Sequence, residues 1–474
     1  MYAVAAGHPL TARTAVEALE AGGNAYDAAV AAAFVQPLAE PALTSLGGGG
    51  LMIVREPDGE TRFFDFFASM PGLGAANGVS AEPVEVRVDY GGAVGVYYAG
   101  AASVAVPGLL RGLLEAHATR GRLPLGRLIS PATRAAREGV PLSELQAYLF
   151  TLIEPILTLT PEARIIFAPE GRLLRAGEPL KNPDYAGFLQ RLPTEGADAF
   201  YAGETARELA EYLRERGGLV TEEDLAALRP LEDPVASRPL PGAGARLGFS
   251  PGPSRGGRAV ADLLEAYLSG PHDGGDEAQH YLALALAMRR VAEGPGLRRG
   301  TTHLSIRDGE GRLLALTVTN GEGSGLMAPG TGVMLNNMLG EDDVLPPGRP
   351  RPAPGERLVS MMAPVILETS KDACALGSGG SRRIRTAVFQ VAAHLLRGWS
   401  LEGAVRAPRV HYESGVLEAE PGLRPETLAA LASEFELNVW SRPDFYFGGV
   451  HAVCQRSAAA GDPRRDGSAI TKND

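Results

Sequence analysis

Lysine is nearly missing: Lys181, Lys371 and Lys472 are the only three in 474 residues. Schiff-base chemistry and lysine-bearing phosphate loops therefore have almost no candidates. Cysteine is scarcer still, with Cys374 and Cys454 far apart in the chain and each beside mostly apolar residues. Both read as small buried hydrophobes, and neither a disulfide framework nor a zinc cluster is expected. Long apolar runs are absent too, since the longest, Ala28 to Val35, is far too short to cross a bilayer. The opening MYAVAAGHPL lacks a basic stretch followed by an apolar core. A cytoplasmic location is expected on that ground, or a periplasmic or secreted one if a leader has been removed. Positive charge is in deficit, with 45 Lys and Arg against 56 Asp and Glu, a net of -11 at pH 7. Nucleic acid and membrane surfaces are poor partners for such a chain.

What is present is a globular, loop-rich composition: 45% hydrophobic, with Gly 60 and Pro 36. The length allows about three domain equivalents or one large layered α/β fold. Thr11 to Ala21 has helical spacing and stops at Gly22-Gly23, after which Asn24 can cap an Ala-rich helix through about Gln36. LMIVRE, the turn Pro57-Asp58-Gly59 and TRFFDF read as a β-hairpin. Helical periodicity marks 109–138, 205–216, 258–268 and 277–293, and Thr221 with Asp224 resembles a capping box. The break GPGLRRG is the main internal boundary. A second hairpin, THLSIRD to RLLALTVTN, follows it, and Arg383 to Leu396 is a helix after GSGGS. LPPGRPRPAP, 345–354, is expected to be an exposed extended loop.

Nucleotide motifs are weak. No Gly-rich run precedes Lys-Ser or Lys-Thr, and GEGSG at 321–325 does not bridge a strand and a helix. The eight histidines have no ligand spacing, so no metal or other cofactor is assigned. The run Gly377 to Gly380 lies between an apolar strand and a long helix, where its N–H groups could converge on a negative oxygen. Taken alone, the run reads first as an ordinary strand-to-helix turn. The sharper signal is Gly300-Thr301-Thr302-His303, where a flexible segment meets a β-branched strand. If the Gly300–Thr301 bond were cut, Thr301 would carry a hydroxyl and an α-amine, whose reference pKa is about 7.7 to 8.0. Such an amine could act as the general base for its own hydroxyl. Thr is also common in strands simply because it fits a pleated surface.

Many ordered blocks carry a resemblance to a known family. They include AGGNAYDAAVAAA (21–33), EPALTSLGGGG (40–50), SVAVPG (103–108), AFYAG (199–203), GTTHLSIRD (300–308), LNNML (335–339), GSGGSRR (377–383), APRVH (407–411) and GDPRRDG (461–467). On these the chain resembles the γ-glutamyltranspeptidase family of N-terminal-nucleophile hydrolases. The resemblance implies an α/β fold, a four-layer αββα sandwich, and a precursor that cuts itself before Thr301. Segments 1–300 and 301–474 would then associate as a heterodimer sharing one fold. It further implies Thr301 as nucleophile, Thr319 as the threonine that hydrogen-bonds it, Gly379 and Gly380 as oxyanion donors, and Asn320 in the place of a substrate-binding Asn.

The chain also departs from the family pattern. Where the family's glutamyl-specific enzymes have DFRE, with an Arg that clamps the substrate carboxylate, this sequence reads Asp65-Phe66-Phe67-Ala68. Phe67 thus points to a weaker glutamyl site or a less charged acyl group, and Arg62, Arg382 and Arg383 are candidates to replace the clamp. The residues that would hold the substrate amine become Met338 and Glu341, and the serine pair becomes Val359-Ser360. The stretch before Thr301 and the loop 342–356 are short, which predicts an open site. Three functions follow: a γ-glutamyl amidohydrolase or transferase acting on glutathione-like small molecules, an acylase for glutaryl-type amides, or an unprocessed binding protein.

Overall fold

The computed structural model describes residues 1–74, 82–89, 94–270, 276–291, 300–345, 350–456 and 459–472. Two antiparallel sheets form the centre. The first has seven strands in the order Ser468–Lys472, Tyr2–Ala6, Thr302–Arg307, Leu313–Thr319, Gly49–Arg55, Thr61–Phe66 and Leu231–Pro234. The second has six: Ala459–Ala460, Gly449–Cys454, Ala373–Gly379, Val365–Thr369, Ala245–Phe249 and Ala236–Leu240.

Strand periodicity sorts the core into layers. Along Leu313–Thr319, Leu314, Leu316 and Val318 point to the helices outside, whereas Leu313 and Ala315 pack between the sheets with Ala3, Leu51, Ile366 and Ala375. Helices Pro9–Glu20 and Ala25–Ala39 cover the first sheet, while Gly256–Leu268 and Arg383–Leu396 cover the second. The result is the expected αββα sandwich. Ala25–Ala39 is buried along almost its whole length because a further helix, Leu125–Glu138, lies outside it. Both expected capping boxes form, at Asn24 with Asp27 and at Thr221 with Asp224.

Three readings are refined by the fold. The helical stretch 109–138 is two helices, Leu109–Arg120 and Leu125–Glu138. Gly121 ends the first, and the Asp27 carboxylate accepts the N–H groups of Arg122 and Leu123 in the gap. The cysteines are buried as expected, but they are not isolated: Cys374 and Cys454 face each other on adjacent strands and are joined by a disulfide. Their 80-residue separation conceals a cross-strand pairing that only the sheet order creates. The loop 345–354 lies partly outside the described residues, and Arg351, Ala353 and Pro354 within it are exposed. The segment immediately before Gly300 lies outside them entirely.

Candidate active site

The strand Thr302–Arg307 begins where the first sheet opens toward the second. Its alternation sends Leu304 and Ile306 to the outer core and His303 and Ser305 between the sheets. The neighbouring strand places Thr317 beside His303, with Oγ1 2.8 Å from Nδ1, while His303 Nε2 lies 2.9 Å from Ser305 Oγ. A polar column therefore runs through the sandwich and ends at Thr301. Burial and the nearby His451 hold the His303 imidazole well below its ordinary pKa, so it is neutral.

At the top of that column Thr301 Oγ1 donates to the Gly300 carbonyl oxygen at 2.6 Å and lies 3.3 Å from Thr319 Oγ1. Thr319 Oγ1 donates to the same carbonyl, and it accepts the Gly321 N–H at 3.0 Å. Because Gly321 occupies the acceptor side of the Thr319 hydroxyl, its hydrogen is directed at Gly300. The peptide bond between Gly300 and Thr301 is thus polarised from the side on which negative charge would develop during attack.

Close backbone approach explains the glycine run. A Cβ on Gly379 would sit 2.0 Å from the Thr301 carbonyl oxygen, and one on Gly377 would sit 2.3 Å from the His303 ring. Both lie on Ala373–Gly379 with period two, so the glycines face the other sheet and let Thr301 and His303 in. Gly380 follows with φ of 118°, a conformation that favours glycine, and its carbonyl accepts the Arg383 N–H at 3.1 Å.

Other residues named from the sequence scatter. Asn320 donates to the Leu335 carbonyl at 3.3 Å, and its buried Oδ1 has no hydrogen-bond partner. Glu341 approaches the same loop: a Cβ on Gly321 would meet its carboxylate at 2.3 Å. Phe67 and Met338 pack in the inter-sheet core, and the Ser360 hydroxyl accepts the Met362 N–H at 3.0 Å. Of the arginines, Arg62 bonds Glu60 and Glu232 at the surface, and Arg382 pairs with Asp343 at 2.7 Å. Arg383 lines a cleft with Gly300, Glu322 and Arg465.

Sequence reasoning missed Glu322, Asn337 and Arg465. Glu322 accepts the Gly300 N–H at 3.3 Å and is itself held by Asn337, whose Oδ1 accepts its N–H at 3.0 Å. Arg465 donates to the Thr301 carbonyl at 3.4 Å. The only signals were GEGSG, which as a phosphate loop led nowhere, and the second Arg of GDPRRDG.

The family model described as gamma-glutamyltranspeptidase matches residues 11–294 and 276–472. The chain is 32% identical to the acylase ACY 1 proenzyme of Pseudomonas sp. (strain SE83), over 90% of this chain and 85% of that one. It is 28% identical to the glutathione hydrolase proenzyme of Bacillus subtilis (strain 168), over 87% and 82%. In structure it superposes on cephalosporin acylase from Bacillus halodurans with a TM-score of 0.85 and 23% identity, covering 100% of this chain and 96% of that one, a likeness of fold. The γ-glutamyltranspeptidase of Helicobacter pylori gives a TM-score of 0.52 at 26% identity over 60% of this chain and 80% of that one. A family match over nearly the whole length leads to one conclusion: the chain belongs to the γ-glutamyltranspeptidase family.

Proposed function

We propose that this protein is an amidohydrolase of the γ-glutamyltranspeptidase type that makes its own nucleophile. The observation that carries this reading is the pair of threonine hydroxyls, Thr301 and Thr319, on the Gly300 carbonyl. In processing, Thr301 Oγ attacks that carbon, the C–N bond breaks, the amine of Thr301 takes up the proton, and water opens the ester. Segments 1–300 and 301–474 are then two chains of one heterodimer. In turnover the same hydroxyl attacks the amide carbonyl of a small molecule such as a γ-glutamyl amide. The Thr301 α-amine is the base, Gly379 and Gly380 are the oxyanion donors that the resemblance implies, and the acyl group passes to water or to an amine.

The test is intact mass under denaturing conditions with a γ-glutamyl anilide assay alongside. Two species meeting at Gly300 and Thr301 are expected, and Thr301→Ala should give one species and no hydrolysis. Wild-type turnover by the alanine variant would remove Thr301 from the mechanism. For the processed enzyme, kcat/KM should rise with pH as the amine loses its proton and then level off. An acylase reading for glutaryl-type amides has its own support in Phe67, which stands where the glutamyl-specific pattern has its clamp arginine, and in the acylase relative. A clear kcat/KM preference for γ-glutamyl over glutaryl anilide would decide against it.

A further inference from the structure

Two arginines beside the scissile bond are buried without a carboxylate in ion-pair contact among the described residues. Arg383 is 2% exposed and Arg465 6%. Among the described residues neither guanidinium has a carboxylate within ion-pair distance, and Nε of each has no hydrogen-bond partner. Arg383 lies over the Tyr446 ring at 4.8 Å, and Arg465 over the Phe445 ring at 5.7 Å. The polar contacts of Arg465 are two backbone carbonyls, of Thr301 and Phe445, at 3.4 and 3.3 Å. The acids that influence Arg465 from farther away are engaged elsewhere: Asp462 is held by Arg409 and Arg464, and Asp444 caps the Tyr446 N–H. Burial and the charge of Arg383 push Arg465 down to about 10. A buried pair of like charges is unfavourable unless an anion joins it.

The place of the pair identifies the anion. Both arginines line one cleft with Gly300 and with Glu322, whose carboxylate is engaged by the Gly300 N–H, and its apolar walls include Leu149, Leu152 and Ile153. In the ester formed during processing, the acyl group on Thr301 Oγ is Gly300. A substrate's acyl-enzyme is the same ester with its own acyl group in that place, so the acyl chain extends into this cleft. Apolar walls suit methylene groups, and guanidinium groups suit a carboxylate beyond them.

We propose that Arg383 and Arg465 form the subsite for a carboxylate at the far end of the acyl group, replacing the clamp lost at Phe67. The substrates are then amides of dicarboxylic acids. This assignment rests on the acyl-enzyme reading above, but its test does not require turnover. Calorimetric titration of the wild-type protein, as purified, with glutarate and with pentanamide compares two five-carbon ligands of which only glutarate carries a carboxylate. Glutarate should bind at least about tenfold tighter, as a charge-assisted contact to a buried cation implies. In Arg383→Met, which keeps an apolar side chain against Tyr446, the glutarate preference should shrink by about the same factor, with Arg383→Lys in between. L-glutamate in the same experiment separates a glutamyl from a plain glutaryl acyl group: whichever acid binds tighter names the source of the carboxylate. Equal binding of glutarate and pentanamide by wild type would overturn the assignment, as would an undiminished preference in Arg383→Met. A protein that prefers glutarate yet shows no Thr301-dependent hydrolysis would retain the subsite and lose the proposed function.

Discussion

Glu40 is a carboxyl group with little room for charge. It accepts hydrogen bonds from Thr302 and Thr11, yet burial pushes it up to about 7 from an ordinary value of 4.5. Between those two values the folded chain holds a proton that the unfolded chain has released. Stability from this group is therefore complete below about 4.5, falls as pH rises, and levels off above about 7. Glu40→Gln removes the titration, so relative to wild type it should gain about 3 kcal/mol between pH 4.5 and pH 8. Urea unfolding of both proteins at the two pH values checks this, and a parallel shift at both would remove Glu40 as the cause. The Thr319 hydroxyl can be isolated in the same way. Thr319→Val keeps the shape and deletes the donor to Gly300, and it should slow processing by about 10²-fold or more, read as the fraction of cut chain against time. Thr319→Ser should recover most of the rate, and equal rates for Val and wild type would show that Thr319 does not act on that carbonyl.

At the scale of elements, small residues set the spacing between layers. Gly377 on the strand Ala373–Gly379 leaves room for the His303 ring, and Gly112 on the helix Leu109–Arg120 meets Phe66, with a Cβ placed 2.1 Å from that side chain. Alanine is the better helix former by about 1 kcal/mol, but overpacking typically costs about 1 to 3 kcal/mol. Gly112→Ala should therefore destabilise the protein despite its propensity, with an unfolding midpoint below wild type; a raised midpoint would mean that the helix simply moves outward. The sequence reading set Gly377 and Gly379 between a strand and a helix, whereas both lie inside the strand Ala373–Gly379. What they make room for was not readable, because His303 and Thr301 lie on the other sheet.

For the whole molecule, the proposed cut falls within an interleaved structure. The seven-stranded sheet alternates sources: Tyr2–Ala6 lies between Ser468–Lys472 and Thr302–Arg307, and Leu313–Thr319 pairs with Gly49–Arg55. The second sheet joins Ala245–Phe249 to Val365–Thr369. Separating 1–300 from 301–474 would break ladders in both sheets and expose the inter-sheet core. After processing, the two pieces should co-elute in native gel filtration at the mass of the intact chain and separate only in denaturant. Dissociation on simple dilution would contradict that architecture.

Much of this was determined by the sequence alone. Hairpins, capped helices and layered α/β character follow from local periodicity and turn chemistry, and Gly300-Thr301, Thr319 and the Gly377–Gly380 run could be named because each lies in a contiguous block. The tertiary structure decided what depends on distant segments meeting. It joined Cys374 to Cys454, set the Asp27 carboxylate against the Arg122 and Leu123 N–H groups between two helices, and sent Phe67 and Met338 into the inter-sheet core. It also separated three candidate arginines, pairing Arg62 and Arg382 with carboxylates and leaving Arg383 beside Arg465 at the scissile bond. Periodicity reports which face of an element is buried; only the packing of one element on another determines whether a buried charge meets a partner.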